Sequence, residues 1–392
     1  MAPELESVLA RTRVLVCLGP GGAGKTTTAA ALAVAGAISG RRVAVLTVDP
    51  AARLKDALEL PEEPGRLHPI PLPEGARGHL DAIQLDAKGL FDRLVRRLSP
   101  TPALAERVLA NPVYRNIAGA FAGSDAYMAL EQLLDIVGDP AYELVIVDTP
   151  PATHALELFD APERILALLN SRALEYLEEP ARILGVGTSR LARGLLSAVL
   201  SGLERITGLP LLRHISALAA DFGLVSPAFR TRAESIRALL RATDTAYAMV
   251  AAPDPHGADE ILAFAGEVHR LGIDVSLVVV NRVLKLGQAA STSPGAPPPG
   301  EAREPLEWSA TLARNLVACA HDVETLIAGE RSVIDALKAG FAQLDGGPAR
   351  HGSSERPWLE LPAIFPAPTS LAGIWKLAQA LQADLARSTD AA

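Results

Sequence analysis

Aromatic residues are scarce in this chain, at 4% of its 392 positions, so packing has to rely on Ala, Leu and Val. Cysteine is nearly absent. Cys17 and Cys319 stand far apart, which excludes a disulfide framework and a Cys-x-x-Cys zinc site and fits a reduced cytoplasm. Positive charge is in deficit. A net charge of -8 argues against a nucleic-acid-binding surface, which is normally basic. No run of 18 uncharged apolar residues occurs, so neither a transmembrane helix nor stable membrane insertion is expected. The opening Met-Ala-Pro-Glu-Leu-Glu is acidic where a signal peptide would be basic, and a cytoplasmic location is the expectation.

The chain does have 49% hydrophobic residues and one informative stretch, residues 13 to 28. Val14 to Leu18 read as a short buried strand, and Lys25 to Ile38 as an alanine-rich helix. Between them Gly19-Pro20-Gly21-Gly22-Ala23-Gly24-Lys25-Thr26 fits the phosphate-loop pattern G-x-x-x-x-G-K-[ST]. Glycines let the backbone curl until several N–H groups point at one anion, and the helix start adds partial positive charge. Gly21, Gly22, Ala23, Gly24, Lys25, Thr26 and Thr27 are the expected nucleotide contacts. Lys25 should reach the β- and γ-phosphates, and the Thr26 hydroxyl should take a place on Mg²⁺.

Further strands are expected at Arg42 to Val48, His79 to Leu85, Leu144 to Asp148, Thr245 to Ala252, Ile273 to Val280 and Trp358 to Phe365. Helical patterning covers Ala87 to Leu98, Asp125 to about Val137, Ala258 to Leu271, Glu307 to about Leu344 and Ser370 to Leu385. Residues 60 to 79 read as an irregular excursion. Strand and helix in alternation give an α/β fold, a parallel sheet flanked by helices on both faces. A helical insertion is expected at about 156–241; within it Ile183 to Leu224 is unusually apolar, with several glycines. The stretch at about 285–306, with Ser-Pro-Gly-Ala-Pro-Pro-Pro-Gly, should be disordered. A single domain with one nucleotide site is the expected organisation, because no second phosphate loop occurs.

Ligands in such sheets bind beyond the carboxyl ends of the strands, so the residues just past each strand are informative. Asp49, before Pro50, would lie beside the phosphates, where its carboxylate could orient the attacking water; it also reads as a helix N-cap. Asp148 closes an apolar strand in the Walker B manner, and is expected to hold Mg²⁺ directly or through a water. Asn281-Arg282 come after the strand expected at Ile273 to Val280; the amide suits an adenine edge, and equally an ordinary turn. No Asn-Lys-x-Asp guanine reader is found, which favours ATP. The histidines other than His154 show no metal-ligand spacing.

Gly-x-Gly-Gly-x-Gly-Lys-Thr-Thr, then Val-Asp-Pro-Ala, Asp-Thr-x-Pro-x-x-His and Val-Val-Asn-Arg, in that order over residues 19 to 282, resemble the ArsA/Get family of ATPases, in a bacterial single-domain, anion-transporting-ATPase-like branch. Leu361 to Pro366 resemble the family's adenine loop more loosely. The resemblance implies a P-loop NTPase of the SIMIBI type and a Mg²⁺-dependent hydrolase of ATP. It also implies a cytosolic dimer, of two copies or of this chain with a related ATPase, whose two sites face each other. By the same resemblance Asp49 and Lys25 are the catalytic residues, Thr26 and Asp148 the metal residues, and Asn281 the adenine contact. Asp148 and His154 correspond to switch II, which relays nucleotide state to a helical region that suits an apolar or membrane-protein client.

The departures are equally specific. A signature lysine stands second in the family's loop; here that residue is Pro20, with neither charge nor N–H. Arg53 is a candidate replacement cation and otherwise a solvent-facing residue. The arsenite-binding cysteines and the zinc Cys-x-x-Cys have no counterpart. Three readings are open: a working ATPase with slow turnover, a regulatory ATP-binding subunit of a heterodimer, and a ParA/MinD-like positioning ATPase. The long apolar block, and the lack of a basic amphipathic C-terminal helix, count against the third.

Overall fold

The apolar runs become the strands of one sheet. The computed structural model describes residues 8–48, 53–112, 114, 125–170, 211–285, 310–344, 356–365, 367–368 and 370–389. In it lie β1 (Val14–Leu18), β2 (Arg42–Thr47), β3 (His68–Pro69), β4 (His79–Gln84), β5 (Leu144–Asp148), β6 (Thr245–Ala251), β7 (Leu277–Val283) and β8 (Trp358–Pro362). Their order is β3-β4-β2-β5-β1-β6-β7-β8. Every pairing is parallel except that of β3 with β4. This is the sheet expected of a P-loop NTPase.

Strand alternation sends successive side chains to opposite faces. Leu15 and Cys17 of β1 enter one layer with α1 (Lys25–Ile38), α2 (Arg53–Leu58) and α10 (Leu371–Thr389). Val14, Val16 and Leu18 enter the other, formed by α3 (Ala87–Leu98), α4 (Pro102–Ala110), α5 (Asp125–Gly138), α6 (Ala152–Leu169), α7 (Leu211–Leu240), α8 (Pro255–Arg270) and α9 (Ala310–Leu344). Helix α1 is buried over most of its circumference, which its run of alanines permits without polar loss. Helix α7 places Val225, Phe229, Ala233, Ile236 and Leu240 along one buried stripe.

A polar cluster ties α7 to its neighbours. Fully buried Glu131 accepts from the Tyr127 hydroxyl at 2.6 Å and from the Arg232 guanidinium. Arg232 also donates to Asp135 Oδ1 at 2.6 Å, and Arg97 grips Asp135 through two bonds of 2.9 and 3.0 Å. Burial drives the Glu131 carboxyl above its ordinary range, while Tyr127 and Arg232 act in the opposite sense and favour the charged form.

Several elements differ from the sequence reading. β7 begins at Leu277 rather than Ile273 and runs through Asn281 and Arg282, so these two belong to the strand. Val275 packs in the core without joining the ladder, and so extends the apolar run beyond the strand. β3 forms an antiparallel bridge inside the excursion read as irregular. Helix α4 has no counterpart among the expected helices; Thr101 caps it by accepting from Leu104 N at 3.3 Å, and Pro102 opens it. Asp49, residues 171–210 of the expected helical insertion and residues 286–306 of the expected disordered stretch lie outside the described residues.

Arg232→Met leaves the Glu131 carboxyl buried without its guanidinium and should lower stability by about 3–5 kcal/mol. The double change Arg232→Met with Glu131→Leu should recover most of that loss. Urea midpoints of both variants against wild type measure it, and equal losses in single and double would place the energy elsewhere.

Candidate functional site

The loop after β1 is seated between two neighbouring strands. A Cβ on Gly19, whose φ is 147°, would stand 2.3 Å from the carbonyl oxygen of Val250 on β6. Gly24, with φ 92°, is the N-cap of α1, and a Cβ there would stand 2.0 Å from Asn281 Nδ2 on β7. A side chain on Gly19 would run into backbone, and one on Gly24 would have to displace the Asn281 amide. Gly24 gives α1 no side-chain cap, and no acidic residue occupies the first turn. The first amides of α1 are therefore left without a side-chain cap, the arrangement by which helix N-termini receive anions.

Lys25 lies at the start of α1, 7% exposed, and its Nζ donates to Gly19 O at 3.0 Å and Pro20 O at 2.9 Å. Thr26 and Thr27 come next, half-buried on the first turn. Fully buried Asp148 ends β5 in register with Cys17 of β1 and Thr47 of β2. Thr47 Oγ1 donates to Asp148 Oδ2 at 3.2 Å, and Thr149 Oγ1 to Cys17 O at 2.6 Å. Burial, and then the charge of Asp148, push the Cys17 thiol far above its ordinary range, so it is an inert packing group.

On the other side of the loop, Asn281 Nδ2 donates to Ala23 O at 3.0 Å, and Arg282 Nη2 to Gly22 O at 2.9 Å. Asn281 is 4% exposed, and one N–H of its amide braces the loop. His154 sits exposed near the start of α6, and Phe365 is 82% exposed just beyond β8. The structure thus gathers Gly21 to Thr27, Asp148, Asn281 and Arg282 around one loop. Asp49 lies outside the described residues, as does the side chain of Arg53.

The description "Anion-transporting ATPase" belongs to the family whose model matches residues 12–209, half of the chain. The chain belongs to that family. A Streptomyces coelicolor protein described as uncharacterized is 30% identical over 287 residues, covering 69% of this chain and 63% of its own. The ATPase GET3 of Chaetomium globosum is 30% identical over 181 residues, 45% of this chain and 52% of that one. The ATPase ASNA1 homolog 1 of Paramecium tetraurelia is 28% identical over 164 residues, 41% and 47% respectively. The chain therefore spans about half to just under two thirds of the length of these relatives.

The oxygen donors beside the loop are of the hard type that fits Mg²⁺. Among the described residues no cluster of three or more His, Cys, Asp or Glu could hold a metal on its own. One hydroxyl and one carboxylate, Thr26 and Asp148, suit an ion that takes its other ligands from phosphate and water. Sequence reasoning missed Thr47, Thr149 and the Val250 carbonyl. Thr47 stands two residues before Asp49 at a strand end, the one signal that could have marked it.

Gly19→Ala puts a methyl into the β6 backbone, which cannot rotate away, whereas Gly24→Ala meets a side chain. Gly19→Ala should lower stability by about 1–3 kcal/mol. Adding Asn281→Ala should relieve Gly24→Ala in part, leaving the penalty of its positive φ. Thermal unfolding of the four variants checks this, and an additive double mutant would contradict it.

Proposed function

We propose that this chain is a Mg²⁺-dependent ATPase that hydrolyses ATP to ADP and phosphate and switches a dimer between states. The single observation that carries the reading is the seated loop, with an uncapped helix start facing its concavity, Lys25 at its base and Asp148 at the adjoining strand end. The amides from Gly22 to Thr26 bind and orient the phosphates, and Lys25 exchanges its loop carbonyls for β- and γ-phosphate oxygens. Thr26 and Asp148 would hold the metal, which when bound neutralises charge on the phosphate oxygens. Thr47 fixes one oxygen of Asp148 and so sets the direction in which the other is presented. Asp49 orients the water that attacks the γ-phosphorus. The Asn281 amide and the ring of Phe365, 82% exposed, would meet the base.

With one phosphate loop in the chain, a paired site needs a second copy or a related chain. Pro20, where the family's loop carries a lysine, supports slow turnover. Losing an ammonium beside developing charge costs roughly 2–4 kcal/mol of transition-state stabilisation. The same residue carries the second reading, a regulatory partner that binds ATP and hardly hydrolyses it. Among the described residues no helix is long and apolar enough to cross a membrane. A cytoplasmic setting, with an apolar or membrane-protein client at the helical region, completes the proposal.

Lys25→Ala should weaken ATP binding at least about tenfold, equivalent to about 1.4 kcal/mol, in calorimetry. Asp49→Asn should bind ATP like wild type and lose most phosphate release, because positioning water acts on the chemical step. Unchanged ATP affinity in the first variant would end the nucleotide reading. Surviving turnover in the second would reduce Asp49 to a cap.

A further inference from the structure

Arg282 has a backbone that arginine avoids. Its φ is 65°, in the left-handed region, although it sits within a strand. The pairing of β7 with β8 slips between Val280 and Val283. Val280 and Val283 both pack with Ile334 in one small cluster, so two residues separate them where regular alternation would place one. Without that slip Arg282 would share the face of Val280 and be driven beneath α9. The bulge instead turns it out to solvent while its neighbours Asn281 and Val283 stay buried. Glycine takes such a conformation freely, so retaining arginine calls for an explanation in the side chain.

The side chain reaches back to the phosphate loop. Arg282 holds the carbonyl of Gly22 and Asn281 holds that of Ala23, two successive carbonyls drawn toward the same strand. In a planar trans peptide the carbonyl of one residue points opposite to the N–H of the next. Anchoring Gly22 O and Ala23 O to β7 therefore aims the amides of Ala23 and Gly24 away from β7, into the concavity. Nothing lies within 4 Å of a Cβ position on Gly22, so the loop is open to a ligand there. Arginine carries five N–H donors, and the bond to Gly22 O uses one of them. Lys25 is bonded at the base of the loop, and the second loop position is the uncharged Pro20.

We propose that Arg282, turned out of β7 by the bulge, is a fixed cation at the mouth of the phosphate loop that binds a phosphate of the nucleotide within the same chain. This rests on the nucleotide-binding reading and adds to it a phosphate ligand outside the loop motif, held by the strand that also braces the loop. The guanidinium supplies in cis a positive charge that the loop itself lacks at Pro20.

Arg282→Gly separates the backbone from the charge, because it relaxes the left-handed residue and deletes the guanidinium. Unfolding temperature without ligand, and displacement of a fluorescent ATP analogue by ATP, ADP and adenosine, are measured on wild type, Arg282→Gly and Arg282→Lys. Arg282→Gly should unfold at the wild-type temperature or above, bind ATP and ADP at least tenfold more weakly, and bind adenosine unchanged. Arg282→Lys should fall between. Wild-type ATP affinity in Arg282→Gly would reduce the residue to a bulge former. A parallel loss for adenosine would move the contact to the base or to the loop as a whole, and also overturn the proposal. Failure of wild type itself to bind ATP would instead overturn the nucleotide reading on which this one stands.

Discussion

The oxygen of Val250 stands 2.3 Å from where a Cβ on Gly19 would be, and the site is built outward from that close approach. Because the backbone of the loop lies against the backbone of β6, the chain after β1 is pinned before it turns toward α1. Asn281 closes in on Gly24 from β7 in the same way, so the loop is held at both ends by strands far downstream in the chain. A phosphate cradle made of backbone amides has no rigidity of its own. Here it borrows rigidity from two buried strands of the sheet. Pre-organised donors need not reorganise when charge develops, which is the physical advantage of such seating.

The same demand for close approach explains how the scarce aromatics are distributed. The layer containing α1 is built largely of Ala, Val and Leu, with Trp375 half-buried at its margin. Large rings there would lift α1 off the sheet and carry the first helical turn away from the loop. The opposite layer, which carries no phosphate loop, takes the rings. Phe91 stacks on Tyr114 at 5.7 Å, and Phe229 lies 6.1 Å from Phe91 and 5.6 Å from Phe222. Aromatic packing thus joins α3, α7 and the residues beyond α4, and the Glu131–Arg232–Asp135 cluster adds polar links to α5.

Local features are legible in the sequence, and long-range ones are not. The strand Val14–Leu18, the loop and the helix Lys25–Ile38 fall where expected, because periodicity, glycine and motif agree along one continuous stretch. Asp148 falls at the end of its strand for the same reason. The start of β7 differs because the apolar run is longer than the ladder; Val275 is buried by packing, which a hydrophobicity pattern cannot distinguish from pairing. The two bonds from β7 to the loop span 258 and 260 residues. Position after apolar residues makes Asn281 read as a base contact. That its amide nitrogen is committed to Ala23 O is visible only once β1 and β7 flank β6. Helix α4 escapes the sequence reading because its nine residues are too few for a clear periodic run, leaving Thr101-Pro102 as the sole start signal.

Strand order determines which chemistry meets the loop from which side. β1 lies between β5 and β6, and the chain builds one half of the sheet before crossing to the other, so the crevice opens at β1. On one side β2 and β5 bring Thr47 and Asp148 together, hard oxygen donors with a carboxylate fixed by a hydroxyl. On the other side β6 and β7 bring a backbone carbonyl, an amide and a guanidinium, groups that hold the loop. Such an asymmetry would suit a polyphosphate with its metal, whose negative oxygens and cation must be accommodated at once within a few ångströms. Exchanging β5 for β7 beside β1 would keep a packed parallel sheet. It would also set the Asp148 carboxylate against the loop carbonyls that Asn281 and Arg282 now hold, and the loop would face repulsion at the point where it is now braced.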